Sequence, residues 1–279
     1  MGTVTATHLL RTDVSPSGKP SRARLRARVA ARRFLFTALA VGVVVGFWWA
    51  IIAIYDVKPY FMPGPAATFR TMLDKPGVLF DHATTTLWET TVGTSVAMVF
   101  AVALASAFVS SPAAERALLP LAVTMRSIPI VAVAPLITLI AGRGFATSVV
   151  CVTIVSFFPI LVNTARGLRA LSPEMRELFR VCGAGRRQVF RYARIQITLP
   201  YLFAGLRSAA AVSVLGAMLA EWLTGQQGLG YLLTNAAALR DNELLWSVVI
   251  VASACSLGFF AVMQSIEKLL VTWAKGESA

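Results

Sequence analysis

Six stretches of this chain are too long and too apolar for any fold but helices buried in lipid. A helix needs about 20 apolar residues to cross the hydrocarbon core. Residues 34–55, 90–111, 144–165 and 244–266 reach that length without one charged side chain. Residues 118–142 and 199–220 reach it with a single arginine each, Arg126 and Arg207. Backbone amides must be paired inside each segment when no water is present, so each run reads as an α-helix. The fold class is therefore all-α: a polytopic membrane protein with six transmembrane helices. The first run is longer than a signal-peptide core, and no small-residue cleavage site follows it closely, so it reads as an uncleaved anchor.

Composition agrees. The chain is 57% hydrophobic and 14% charged, against roughly 45–50% and 25% in soluble domains. A net charge of +13 in a soluble protein would suggest nucleic acid. Here the charge follows topology. Nineteen basic residues fall on the side of the two termini, and five on the other. The excess marks the cytoplasmic face, so both termini are expected inside, against an anionic leaflet. No nucleic-acid partner is needed.

The expected domains are a basic, disordered cytoplasmic tail over 1–33, a transmembrane domain over 34–271, and a short cytoplasmic tail over 272–279. Catalytic and metal chemistry find no support. Cys151, Cys182 and Cys255 lie far apart, and His8 and His82 read as solvated residues. There is no glycine-rich phosphate loop. No catalytic residue, cofactor or metal is expected.

The unusual segment is the loop 171–194 on the cytoplasmic side. Leu171-Ser172-Pro173-Glu174 reads as a helix start: Ser172 caps, Pro173 fits the first turn, and Glu174 suits the positive end of the dipole. Met175, Leu178, Phe179 and Cys182 then form an apolar stripe at helical spacing. Gly183-Ala184-Gly185 ends the helix, and a second amphipathic helix carries Val189 and Phe190. The loop is thus two short basic helices with a bend. It is either an interfacial helix on the inner leaflet or a docking element for a soluble protein.

Arginine at a span centre costs about 2.5–3.5 kcal/mol. Arg126 can snorkel to headgroups or line a path. Pro129 and Pro135 interrupt the same run, and broken helices are tolerated beside protein or water. Arg126, Ser127 and Pro129 are therefore placed near a polar path, and Pro159 and Asn163 mark the 144–165 span in the same way.

The spacing from Glu177 to Gly183 resembles the EAA---G signature of binding-protein-dependent ABC importer permeases, with Leu178 and Phe179 in place of the two alanines. Ala184, Arg186, Gln188-Val189-Phe190-Arg191 and Leu199-Pro200 are also similar to that family, whereas Ile195-Gln196 stands where it often has an earlier Leu-Pro. The stretches FMPGPAATF, MRSIPIVAVAPLITLIAG, FFPILVNTARGLRALSPEMRE and AEWLTGQQGLGYLL resemble, in order, segments of the nitrate/sulfonate/taurine subgroup. The resemblance implies that the helix after Pro173 is a coupling helix seated in a separate cytoplasmic ATP-binding subunit, with Glu177, Arg180, Gly183 and Ala184 at the contact. It also implies an extracytoplasmic substrate-binding protein, a path at a subunit interface, a homodimer, and a small solute. The rival readings are a secondary transporter or channel independent of ATP, which calls for acidic residues deep in several spans, and a membrane-bound enzyme, which calls for a catalytic cluster. By sequence no Asp or Glu interrupts a span centre.

Overall fold

The structure, a computed structural model, describes residues 22–127 and 129–272. Every described element is a helix. The chain divides into two compact units, Met1–Val57 and Lys58–Ala279.

The first unit holds α1 (Arg22–Tyr55). The helix starts twelve residues before the apolar run, so residues 22–33 are helical rather than the disordered tail expected of them. Arginine and alanine, which make up most of that segment, are good helix formers, and extending an existing helix costs far less than nucleating one. The rest of the expected tail, 1–21, lies outside the described residues, as does nearly all of 272–279.

The second unit contains α2 (Pro65–Asp74), α3 (Pro76–Ser110), α4 (Pro112–Ser127), α5 (Ile130–Ala141), α6 (Phe145–Arg169), α7 (Pro173–Val181), α8 (Arg186–Val189), α9 (Ile195–Thr224), α10 (Leu229–Ala238) and α11 (Asn242–Leu270). Among the described residues, five helices are long and apolar enough to span a membrane. The sixth expected span, 118–142, is not one helix. It is divided between α4 and α5, and Pro129 heads α5 in an extended conformation (φ −65°, ψ 112°). Proline lacks the N–H that would continue the ladder of α4. At 12 residues α5 is shorter than the roughly 20 that span hydrocarbon.

The core is a three-helix stack in which α6 packs along both α9 and α3. Small residues allow it. Ala97, Ala101 and Ala105 recur every fourth position on α3 and are fully buried, as are Ala209, Ala210, Ala217 and Ala220 on α9. Lipid is as apolar as leucine, so helices in membranes gain from close backbone approach. At Gly205 the approach is backbone to backbone: an added Cβ would lie 3.0 Å from the Ile160 Cα and 3.1 Å from the Pro159 carbonyl.

At the end of the bundle remote from the loop 171–194, α2, α10 and the start of α11 gather against α3. Leu79, Leu229, Leu232 and Val248 form its apolar core. The Thr71 hydroxyl donates to Glu243 at 2.9 Å, Ser247 donates to the Thr68 carbonyl at 3.1 Å, and Lys75 pairs with Asp241 at 2.8 Å.

Candidate functional site

The loop 171–194 folds as its local chemistry dictates. Ser172 Oγ accepts the Met175 N–H at 3.2 Å, and α7 starts at Pro173. The Glu174 carboxyl is held below the usual carboxylate range by its own backbone N–H and by Ser172. Gly183 has φ +71°, a conformation that side-chain-bearing residues avoid. Its turn is closed by the Ala184 N–H, which donates to the Phe179 carbonyl at 2.9 Å. Gln188 Oε1 accepts the Gly185 N–H at 2.8 Å.

The second helix differs from its expected form. It does not end in the loop. Through a π-helical turn, Phe190–Arg194, α8 continues into α9 as one helix from Arg186 to Thr224. At about 1.5 Å per residue its 39 residues extend about 58 Å. The loop is thus rigidly continuous with a core helix of the bundle.

No residue of α7 is buried. Met175, Leu178 and Val181 are exposed and Phe179 is half-buried. The angle between α7 and α8 forms an open cleft of about 820 Å³ in which Arg176, Arg180, Arg186 and Arg194 surround Ala184 and Phe190. Three of the four predicted contact residues, Arg180, Gly183 and Ala184, line this cleft. Glu177 lies beside it and pairs with Arg180 at 2.9 Å.

The predicted path residues are dispersed. The backbones of Arg126 and Ser127 close α4; their side chains lie outside the described residues. Pro129 is exposed at the head of α5. Pro159 and Asn163 lie one turn apart on α6, against Gly205 of α9. Asn163 Nδ2 donates to the Pro159 carbonyl at 2.8 Å, so its donor is satisfied within its own helix. The other arginine in a span, Arg207, forms an ion pair with Glu267 of α11.

Two acidic residues were missed. Glu89 and Glu221 abut runs 90–111 and 199–220, where a hydropathy reading stops. Helices α3 and α9 continue past those limits and bury both side chains, at 3% and 1% exposure. His82, read as solvated, accepts the Gly228 N–H at Nδ1, 3.0 Å away. Buried acids therefore lie at the edges of two expected spans rather than at their centres, and the choice between carrier types rests on other grounds.

Those grounds are homology. The pattern that defines the binding-protein-dependent transport system inner membrane components matches residues 93–275. The chain belongs to this family. It is a membrane-spanning permease of the ABC importers, an integral multi-pass component of the plasma membrane, and the family is one of transport proteins rather than enzymes. The permease is 31% identical to a formylaminopyrimidine transport permease of Halalkalibacterium halodurans over 81% of this chain and 91% of the relative. It is 32% identical to a riboflavin transport system permease of Chloroflexus aurantiacus over 90% and 96%. The taurine transport permease of Escherichia coli is 20% identical over 87% and 91%. A solved amino acid ABC transporter has the same fold, with a TM-score of 0.58 and 17% identity over 72% of this chain and 98% of that one.

Proposed function

We propose that α7 is the coupling helix of this permease and that the loop 171–194 docks into a separate ATP-binding subunit on the cytoplasmic side. The observation that carries this reading is the uncovered apolar face of α7 beside four arginines. Met175, Leu178 and Val181 would fill an apolar groove, and Arg176, Arg180, Arg186 and Arg194 would meet acidic side chains at its rim. Gly183 sets the bend that presents the helix, while Glu177 holds Arg180. In this arrangement both termini are cytoplasmic, ATP is hydrolysed by the partner, and two copies of the permease enclose the path. Arg126, Ser127 and Pro129 would flank the path where α4 gives way to α5, with Pro159 and Asn163 supporting it from α6.

An extracytoplasmic binding protein would deliver the solute to the opposite end, where α2, α10 and the start of α11 gather. Two relatives above 30% identity that cover more than four fifths of this chain are named for formylaminopyrimidine and riboflavin, so a small nitrogen-containing heterocycle is the favoured cargo over a sulfonate. Mass spectrometry of the ligand retained by the cognate binding protein tests that preference, and a retained sulfonate rejects it.

The docking claim is tested by co-purifying the ATP-binding subunit with wild type, Glu177→Ala and Gly183→Val. Both variants are expected to insert normally and capture less of the subunit, with Gly183→Val the weaker of the two. Undiminished capture by both returns the loop to an interfacial role.

A further inference from the structure

Glu221, the last acidic residue of α9, lies beneath the turn that leads into α10. Its Oε2 accepts the Gly230 N–H, 2.6 Å away. The turn is folded so closely onto this carboxyl that a Cβ on Gly228 would collide with the Glu221 Cδ. The first amides of α10 have no partner within the helix, and here α3 supplies further acceptors. The Leu229 N–H donates to Thr86 Oγ1 at 2.8 Å and the Gly228 N–H to His82 Nδ1 at 3.0 Å. Three successive N–H groups are therefore taken by three side chains, two on α3 and one on α9.

Glu89 of α3 lies beside Glu221 inside this arrangement, and Glu89 Oε2 and Glu221 Oε1 are both buried with no other hydrogen-bond partner. Around them stand His82 and Thr86 on α3, Ser148 on α6, and Tyr231 on α10, whose ring lies 6.0 Å from that of His82. Arg143 points its Nε at the Thr224 carbonyl, 3.5 Å away. Among the described residues no lysine or arginine forms an ion pair with either carboxyl. Two buried carboxylates in contact repel too strongly to be ionised together, and a hydrogen bond between carboxyls needs a proton on one of them.

We propose that Glu89 and Glu221 share a single proton and act as positioning residues, a clasp that fixes the head of α10 and the far end of α9 to α3. Because α9 is continuous with α8, the clasp anchors the end of the helix whose other end carries the loop 171–194. A lever needs a fixed point, and this contact supplies one for movements started at the loop. That last step rests on the coupling role of the loop; the shared proton and the clasp do not.

Infrared spectroscopy and amide exchange of the purified full-length protein test the clasp without the ATP-binding subunit. At neutral pH the wild type is expected to show the carbonyl band of one protonated carboxyl. Glu89→Gln and Glu221→Gln are each expected to abolish it, because either amide donates to the remaining carboxylate. Glu221→Ala should speed exchange of the amides at 228–230 by about tenfold or more, and Glu221→Gln, whose amide oxygen can still accept, should restore protection. A wild type without the band, a band that survives in both Gln variants, or unchanged protection in Glu221→Ala overturns the proposal. The Gln variants keep the shape of the side chain, so the infrared test stands even if Glu221→Ala fails to fold. Loss of ATPase capture in the loop variants but not in the Glu221 variants keeps the two readings separable.

Discussion

Arg207 of α9 and Glu267 of α11 form an ion pair across the helix bundle, 60 positions apart in sequence. Their side chains are 29% and 17% exposed, so the pair is partly desolvated and each charge needs the other. Removing one partner leaves a lone charge, which costs about 3–5 kcal/mol in a fully buried pair. Arg207→Leu is expected to lower stability by about 1–3 kcal/mol after allowing for solvent. Arg207→Leu combined with Glu267→Leu should recover most of that loss, as read by thermal unfolding in detergent.

Gly205 is expected to tolerate nothing larger. Even alanine there would place a Cβ against the Ile160 Cα and the Pro159 carbonyl, which are backbone atoms and cannot turn away. Gly205→Ala should cost about 1–3 kcal/mol, the range for overpacking, and Gly205→Leu should prevent folding. Comparing the yield of folded monomer on size exclusion with that of Gly258→Ala, a glycine with open space around it, checks this.

The loop and the bundle differ in how far the sequence exposes them. The start of α7 at Ser172-Pro173 and its end at Gly183 are set by contacts within three to five residues, so they are legible locally. The clasp was hidden because Glu89 and Glu221 sit where apolar runs stop, and the fold brings the two together from positions more than a hundred residues apart. The partner of Arg207 lies 60 positions away. The division of 118–142 into two helices escaped a reading by composition, since that run is apolar on both sides of Pro129. Pro159 and Asn163 read as path residues because they are irregular or polar, and their contact with Gly205 of α9 was not legible in the sequence.

Lys75 and Asp241 tie α2 to α11 at 2.8 Å. The hydrogen bond from Lys75 holds the Asp241 carboxyl below its ordinary value of 3.8. A carboxyl with a depressed folded-state pKa contributes stability above its unfolded value, and that contribution disappears as pH falls through the folded value. The tie should therefore persist at neutral pH and fade only below 3.8. Asp241→Asn should remove this part of the acid dependence. With side chains 44% and 32% exposed, the effect is expected to stay under about 1 kcal/mol. Asp241 also accepts the Leu244 N–H at 3.0 Å, a cap that asparagine preserves. Unfolding followed between neutral and acid pH in both proteins measures the difference.

The arginine cleft predicts salt sensitivity. Exposed charges are screened over about 10 Å at 0.1 M salt, so capture of the ATP-binding subunit should weaken as salt is raised. Arg176→Glu with Arg186→Glu should reduce capture at low salt and flatten the salt dependence. A titration of the complex against sodium chloride reads both.

The most direct measurement is site-specific cross-linking in membranes that hold the permease and its ATP-binding subunit together. With the exposed native thiol removed by Cys182→Ser, a cysteine in place of Leu178 is expected to cross-link to the ATP-binding subunit. A cysteine in place of Leu73, exposed at the opposite end, should not. A complex that co-purifies but gives no cross-link from position 178, or gives an equal one from position 73, would contradict the assignment of α7 as the coupling helix.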